Sequence, residues 1–264
     1  MAPLFSIILP TYNRAYVLWR SILSIIAQTE ERWELIVVND GSTDRTLRLL
    51  EEFGDPRIRV VTTTNQGPSA ARNRGIKEAQ APFIAYLDSD NRWLPEFLAV
   101  MNETIERSPK CVFWHCGSIG TWWERGRHGT WKFISEKGGP AQPISYEGVW
   151  QMKAADTNCM VHRASVAEVV GGWDEQCRWV EDWDFFLRVY LAYPGQVQHV
   201  PDVLVEYRQV HGEGADGICG EAREDRTTEV AGRRYLLEKW QHHPDFAAGD
   251  KLSVNEESLK LHRA

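Results

Sequence analysis

Within the first 110 residues four short β-type runs recur with helical spacing between them, and this alternation restricts the fold more than any other feature. Phe5-Ser-Ile-Ile-Leu9 closes at Pro10, and Glu34-Leu-Ile-Val-Val38 ends at Asn39-Asp40-Gly41. Arg57–Thr62 and Phe83–Leu87 are the third and fourth runs. Between them Leu18, Ile22, Ile25 and Ile26 share one helical face. Ser42 reads as the N-cap of a helix carrying Leu47, Leu50 and Phe53. Pro68–Ala79 reads as a short helix, and Pro95–Arg107 as another carrying Phe97, Leu98, Met101 and Ile105. Strands separated in this way by helices predict an α/β fold, a parallel doubly wound sheet with right-handed crossovers.

Past Cys111 the pattern weakens. Residues 111–150 are rich in Trp and Gly and read as short strands or long loops. Periodicity returns at Val161–Val170, then in a helix at Trp183–Tyr193 and one or two strands across Val197–Tyr207. Residues 211–220 are Gly-rich, and the charged tail holds one helical candidate at Thr227–Trp240. The 264 residues suffice for one large core, or a core with a lobe. The expected division is a catalytic domain over 1–220, with halves at 1–110 and 111–220, followed by a charged helical tail over 221–264.

A formal net charge of −7 supplies no basic field for nucleic acid, so an anionic ligand needs local compensation. The N-terminus has no basic segment before its short apolar run, and no stretch is long enough to span a membrane, so a cytoplasmic protein is expected. The five cysteines suit no zinc ribbon and read as reduced, buried thiols; a knuckle of Cys111, His115 and Cys116 is the weaker alternative.

The fourth strand runs into Asp88-Ser89-Asp90-Asn91. Two carboxylates at a strand's carboxyl end lie where open α/β sheets bind ligands. Magnesium-like ions are held by one or two such carboxylates plus substrate phosphates. The other strand tips are polar as well: Pro10-Thr11-Tyr12-Asn13, then Asn39-Asp40-Gly41-Ser42. Asp40 can accept from a base N–H, and Gly41 permits close approach of backbone to a ring. Gln66–Gly75 opens a helix with small residues and supplies Arg72 and Arg74, which serve phosphate oxygens or form a solvated charged face. No dinucleotide fingerprint and no phosphate-binding Gly-Lys loop is present. Later, Gly171-Gly-Trp-Asp-Glu175 precedes Glu181-Asp182-Trp183-Asp184 at a helix start, where acids either cap the helix or supply a general base. His211 stands among glycines, as a metal or diphosphate contact on a closing lid or as an exposed loop residue.

In this order, from Phe5 to His211, these motifs resemble the family 2 glycosyltransferases, inverting enzymes of the GT-A fold. That fold is Rossmann-like, with a mostly parallel central sheet, helices on both faces and a smaller acceptor-side subregion. The resemblance implies that Pro10, Thr11, Tyr12, Asn13, Asp40, Arg72, Asp88, Ser89 and Asp90 bind a nucleoside-diphosphate sugar, with UDP the expected nucleotide. It implies a divalent cation, Mg²⁺ or Mn²⁺, at Asp90 with Asp88 and His211, and Asp182 as the general base. Glu181 and Trp183, with Trp122 and Trp123, would face the acceptor, a glycan or lipid-linked hydroxyl. Two departures stand out: Asn91 replaces a third Asp, and Tyr207-Arg208-Gln209-Val210-His211 is one residue longer than the family's Tyr-Arg-x-His.

The implied activity is inverting sugar transfer in polysaccharide biosynthesis. The alternatives are a sugar-nucleotide-binding protein without transfer and, further off, a nucleotidyltransferase. Trp122, Trp123 and Trp131 either stack on sugar rings or fill the smaller lobe's core. Arg233, Arg234 and Lys239 offer peripheral contact with the inner face of a membrane, or belong to a solvated helix.

Overall fold

The computed structural model describes residues 1–125, 131–139, 142–150, 155–211 and 227–246. The first half alternates as expected: β1 (Phe5–Thr11), α1 (Leu18–Ile26), β2 (Trp33–Asn39), α2 (Thr46–Glu51), β3 (Ile58–Thr62), α3 (Pro68–Glu78) and β4 (Phe83–Tyr86). β1 pairs in parallel with both β2 and β4, and β2 with β3. β1, β2 and β4 are largely apolar because both sheet faces are covered there, whereas β3 is a partly exposed edge strand. Ile7 and Leu9 enter one core cluster with Leu18, Ile22 and Phe97, while Ile8 enters a second with Trp173, Phe185 and Phe186. Along β4, Phe83 and Ala85 join the first cluster and Ile84 and Tyr86 the second, the period-2 alternation of a strand.

Helix starts and stops follow local chemistry. Pro68 opens α3 behind Gly67, whose φ of 98° suits only glycine well. Ser42 does not cap α2, in contrast to the sequence expectation. Asn13 Oδ1 accepts from the amides of Thr43 and Asp44 and holds this stretch in a turn, so the helix begins only at Thr46. There the Thr46 amide donates to Asp44 Oδ1.

After β4 come β5 (Arg92–Trp93), α4 (Phe97–Arg107), β6 (Phe113–Arg125), β7 (Trp131–Gly139), α5 (Tyr146–Trp150), a 3₁₀ turn at Thr157–Cys159, β8 (Met160–Arg163), α6 (Ala164–Val170), α7 (Glu181–Ala192), β9 (Val197–His211) and α8 (Thr227–Trp240). Among the described residues the strand order is β3-β2-β1-β4-β8-β6-β9-β5, with β7 added to β6. The segment ambiguous in sequence is thus largely the β6–β7 hairpin, and Val161–Val170 divides into a strand and a helix. β8 runs antiparallel to β4 and β6, whereas β9 runs parallel to β6. The two-residue β5 pairs with β9, Arg92 opposite Glu206. Residues 88–91 therefore link β4 to a strand placed beyond β8, β6 and β9.

α8 packs on the second core cluster, with Leu236 fully buried. Its Lys239 reaches Asp174 at 2.5 Å and Asp184 at 2.8 Å. Tyr235 and Trp240 also donate to Asp174 and Asp184. The helical part of the tail is therefore joined to the body at the Gly-Gly-Trp-Asp-Glu and Glu-Asp-Trp-Asp motifs. Residues 221–226 and 247–264 of that tail lie outside the described set.

Candidate active site

The site is built on Arg72, 3% exposed in the middle of α3. One amino group lies 2.8 Å from Asp88 Oδ1 and the other 2.9 Å from Glu181 Oε1. Its plane sits over the Trp173 ring at 4.6 Å. Trp173 in turn stacks on Phe185 at 4.6 Å and meets Tyr86 edge-on. A buried guanidinium persists because its charge is matched, here by two carboxylates from distant parts of the chain. Its Nε has no partner among the described residues.

Asp88 is held on all sides. Its Oδ2 accepts from Asn158 Nδ2 at 3.2 Å, and its amide donates to Asn158 Oδ1 at 2.7 Å. Asn158 is positioned by Asp156, whose Oδ1 accepts both the Asn158 amide and its Nδ2. Asp90 differs: no other side chain or backbone group of the described residues is recorded as its hydrogen-bond partner, and burial beside Asp88 pushes its carboxyl up to about 6. Ser89 is buried. Asn91 is a strut: its Oδ1 accepts the Arg208 amide at 2.8 Å, and its carbonyl accepts Ser21 Oγ at 2.7 Å.

Asp182 lies in the first turn of α7, one residue past the Glu181 that Arg72 holds. Burial, then the nearby charges of Glu181 and Asp156, pushes its carboxyl well above the ordinary carboxylate range. The preceding Val180 carries φ 48°, ψ 42°, a left-handed conformation that costs a β-branched residue about 1–3 kcal/mol and sets where the first turn points.

The strand tips behave variously. Thr11 is buried with its hydroxyl unpartnered among the described residues, whereas Tyr12 is exposed. Pro10 lies within buried β1, and Asn13 is spent on the 43–44 turn. Asp40 is 4% exposed, and its oxygens accept from the Thr63 hydroxyl and the amides of Gln66 and Gly67. Gly41 serves the same loop, since a Cβ there would stand 2.8 Å from the Asn65 amide. Asp40 lines a separate cleft with Asn73, Arg74 and Lys77, which holds none of Asp88, Asp90 and Asp182. The carboxylates rather than this cleft define the site, because the charge matching lies there.

Trp183, expected beside the acceptor, is instead a core residue. It is 1% exposed, and its indole N–H donates to the Val149 carbonyl at 2.7 Å. Trp122 and Trp123 lie partly buried on β6, Trp123 edge-on to Phe133. The backbone of His211 closes β9 opposite Glu124; its side chain lies outside the described set. Sequence reasoning missed Asp156 and Asn158. No motif marks them, and only the adjacency of β8 to β4 brings them to Asp88.

Among the described residues no three His, Cys, Asp or Glu side chains form a cage for a metal ion. A cation bound chiefly by substrate phosphates needs only one or two carboxylates. Asp90, whose carboxyl is bonded by no other group among the described residues and is raised to about 6 by burial and Asp88, fits that demand.

Solved structures with this architecture include *S. aureus* TarS residues 1–349, at TM-score 0.63 and 19% identity over 100% of this chain and 76% of that one. The mannosyltransferase PcManGT of Pyrobaculum calidifontis, in complex with GDP-Man and Mn²⁺, gives TM-score 0.61 and 17% identity over 100% and 77%. These likenesses fix the fold as GT-A. Among curated sequences, the putative colanic acid biosynthesis glycosyl transferase WcaA of Escherichia coli K12 is 38% identical over 76% of this chain and 72% of its own. The β-1,3-glucosyltransferase WfgD of Escherichia coli, named as acting from UDP-Glc on α-D-GlcNAc-diphosphoundecaprenol, is 44% identical over 34% and 36%. An uncharacterized glycosyltransferase of Haemophilus influenzae is 46% identical over 40% of each chain. Matches to these last two relatives thus span less than half of their length. Residues 6–169 match the family described as Glycosyl transferase family 2, and with the shared fold and motif order this chain belongs to that family.

Proposed function

We propose that this protein transfers a sugar from a nucleoside diphosphate, UDP in the leading case, to a hydroxyl of a glycan or lipid-linked acceptor, inverting the anomeric centre. One observation carries the reading. Arg72 ties the Asp88–Asn91 turn to the start of α7, so the carboxylate assigned to the diphosphate side and the helix assigned the base meet at one buried guanidinium. WfgD, named for a UDP-glucose donor and a diphosphoundecaprenol acceptor, supports the choice of substrates.

Asp182 takes the proton of the acceptor hydroxyl as that oxygen attacks the anomeric carbon. Its raised basicity suits it to this task near neutral pH. Displacement from the face opposite the nucleotide inverts the centre in one step. Glu181, neutralised by Arg72, holds the turn and leaves Asp182 as the carboxylate for the proton. Thr11 offers its unpartnered hydroxyl to the nucleoside, and Tyr12 an exposed ring for the base. Asp40 fixes the 63–67 loop that borders this region. Asp90 holds a divalent cation, Mg²⁺ or Mn²⁺, which when bound offsets charge on the leaving diphosphate. Trp122 and Trp123 flank the acceptor side.

The test is release of UDP from UDP-sugars with Mn²⁺ and a glycan or prenyl-diphosphate-sugar acceptor, with Asp182→Asn beside the wild type. Nucleotide binding without any turnover would leave a sugar-nucleotide-binding protein. Pyrophosphate release from a sugar phosphate and a nucleoside triphosphate would instead make it a nucleotidyltransferase.

A further inference from the structure

Helix α1 carries large apolar side chains outside its buried face as well as on it. Leu18, Ile22 and Ile25 are buried against the sheet. On the opposite face Tyr16, Trp19 and Leu23, spaced to form one stripe, are 42%, 46% and 47% exposed. A surface helix ordinarily turns polar side chains to water. On α1 Arg20 and Ser24 do so in part, while Trp19 and Leu23 beside them are exposed and apolar. Residues 14–29 contain two arginines, Arg14 and Arg20, and no acid, within a chain of net charge −7. Glu206, the acid that acts on Arg20, is itself ion-paired with Arg92.

A second element extends the stripe. The Arg20 guanidinium lies 6.0 Å from the centre of the Trp123 ring. Trp123 meets Phe133 edge-on at 5.4 Å, and Phe133, on β7, is 47% exposed. Helix and hairpin thus present rings and aliphatic groups with arginine between them. Through Ser21 on its buried face the same helix is joined to the Asn91 carbonyl, so strip and candidate site are carried by one element.

We propose that this strip, Tyr16 in the turn before α1, Trp19 and Leu23 on α1, and Phe133 of the hairpin, docks on an anionic lipid bilayer. That chemistry matches both halves of the strip. Rings and leucine settle at the boundary between headgroups and acyl chains, while the arginines favour anionic headgroups. A second copy of this chain fits less well: a two-fold contact places the same patch on itself, arginine toward arginine. Docking would bring the crevice beside Asn91 to the level of a lipid-linked acceptor, and that consequence alone rests on the transfer reading above.

The test is flotation of the full chain with phosphatidylcholine vesicles, with and without one phosphatidylglycerol in three lipids, at low and raised salt. The wild type is expected to float with the anionic vesicles and to lose most of this binding in their absence or at raised salt. Trp19→Ser combined with Leu23→Ser should weaken binding by about tenfold or more, from the apolar area withdrawn, with an unchanged melting temperature because both side chains are exposed. Arg20→Gln should reduce the salt sensitivity. A wild type that ignores vesicles, or a double variant that binds equally, overturns the proposal. So does a wild-type dimer in light scattering that the double variant makes monomeric, since that assigns the strip to a second copy. UDP release is assayed separately with a soluble acceptor. Its absence in the wild type overturns transfer while the flotation result still decides docking.

Discussion

Arg72 stands 2.8 Å from Asp88, and the same guanidinium closes on Glu181 at 2.9 Å. Because Arg72 is the buried partner of both carboxylates, its removal leaves two acids facing each other in a poorly solvated place. Arg72→Ala should lower stability by about 3 kcal/mol, the low end for breaking a buried pair, since Asp88 retains 28% side-chain exposure. Arg72→Lys keeps the charge but not the fork, so it should recover much of the stability and little of the turnover. Urea unfolding and kcat on the two variants check this; equal turnover in Arg72→Lys and wild type would remove the bridging role.

Asp182 sets the second expectation. Asp182→Asn should bind UDP nearly as wild type while turnover falls by roughly 10²–10⁴-fold, the range for a lost general base. A general base works deprotonated, and the Asp182 carboxyl is raised in the fold, so under the proposed role kcat should climb with pH along a limb above the pH of about 4 of an ordinary aspartate. The sign for stability is opposite. A carboxyl raised by folding favours its protonated form, so its contribution is present at low pH and lost as pH rises through the folded value. Asp182→Asn should therefore flatten the fall in apo-protein stability above pH 4, measured by thermal melts.

Asp90 should govern the metal. Calorimetry with UDP in the presence of Mn²⁺ should show Asp90→Asn weakened by about tenfold or more, no less than the cost of losing a ligand's outer support. Without metal the variant and wild type should bind UDP alike. An undiminished metal effect in the variant would move the ligand role elsewhere.

The α8 contact can be read by pH. Burial would raise Asp174, but Lys239 and Tyr235 overcome it and hold the carboxyl down to about 2. A carboxyl depressed by folding contributes stability above its unfolded value, and that contribution is lost as pH falls through about 2. Lys239→Met should cost roughly 1–3 kcal/mol at pH 7, less than a fully buried pair because the ammonium is 25% exposed. The gap from wild type should narrow between pH 4 and pH 2 in chemical denaturation; a gap constant with pH would detach the effect from Asp174.

What could be read from the residues follows from how local each signal is. β1, β2 and β4 were legible because both faces of each strand are buried, which leaves a largely apolar run, and β3, an edge strand, by its β-branched residues. Asp88, Asp90 and Asp182 were legible as acids at a strand end and a helix start. The role of Asn158 was not: it lies seventy residues from Asp88 and meets it only because β8 pairs with β4. Arg72 read as a nucleotide-sugar ligand, with a solvated helix charge as the alternative, since nothing nearby in sequence reveals that Glu181 folds onto it. Trp183 looked like an acceptor contact because it adjoins Asp182, the proposed base, whereas the helix turns successive side chains about 100° apart and sends this one inward. The 111–150 segment stayed ambiguous because the β6–β7 hairpin turns part of its surface to water, and its strands lack the doubly apolar run of β1.

The position of β5 has one further consequence. The Asp88–Asn91 turn leaves the middle of the sheet and rejoins it at the far edge, with β8, β6 and β9 continuous beneath. The elements carrying Asp88 and those beyond β8 therefore share an unbroken backbone ladder. Hinge-like opening of two lobes would tear the β4–β8 and β5–β9 pairings, so admission and release of substrates must proceed by side-chain and surface-segment motion over a stiff floor.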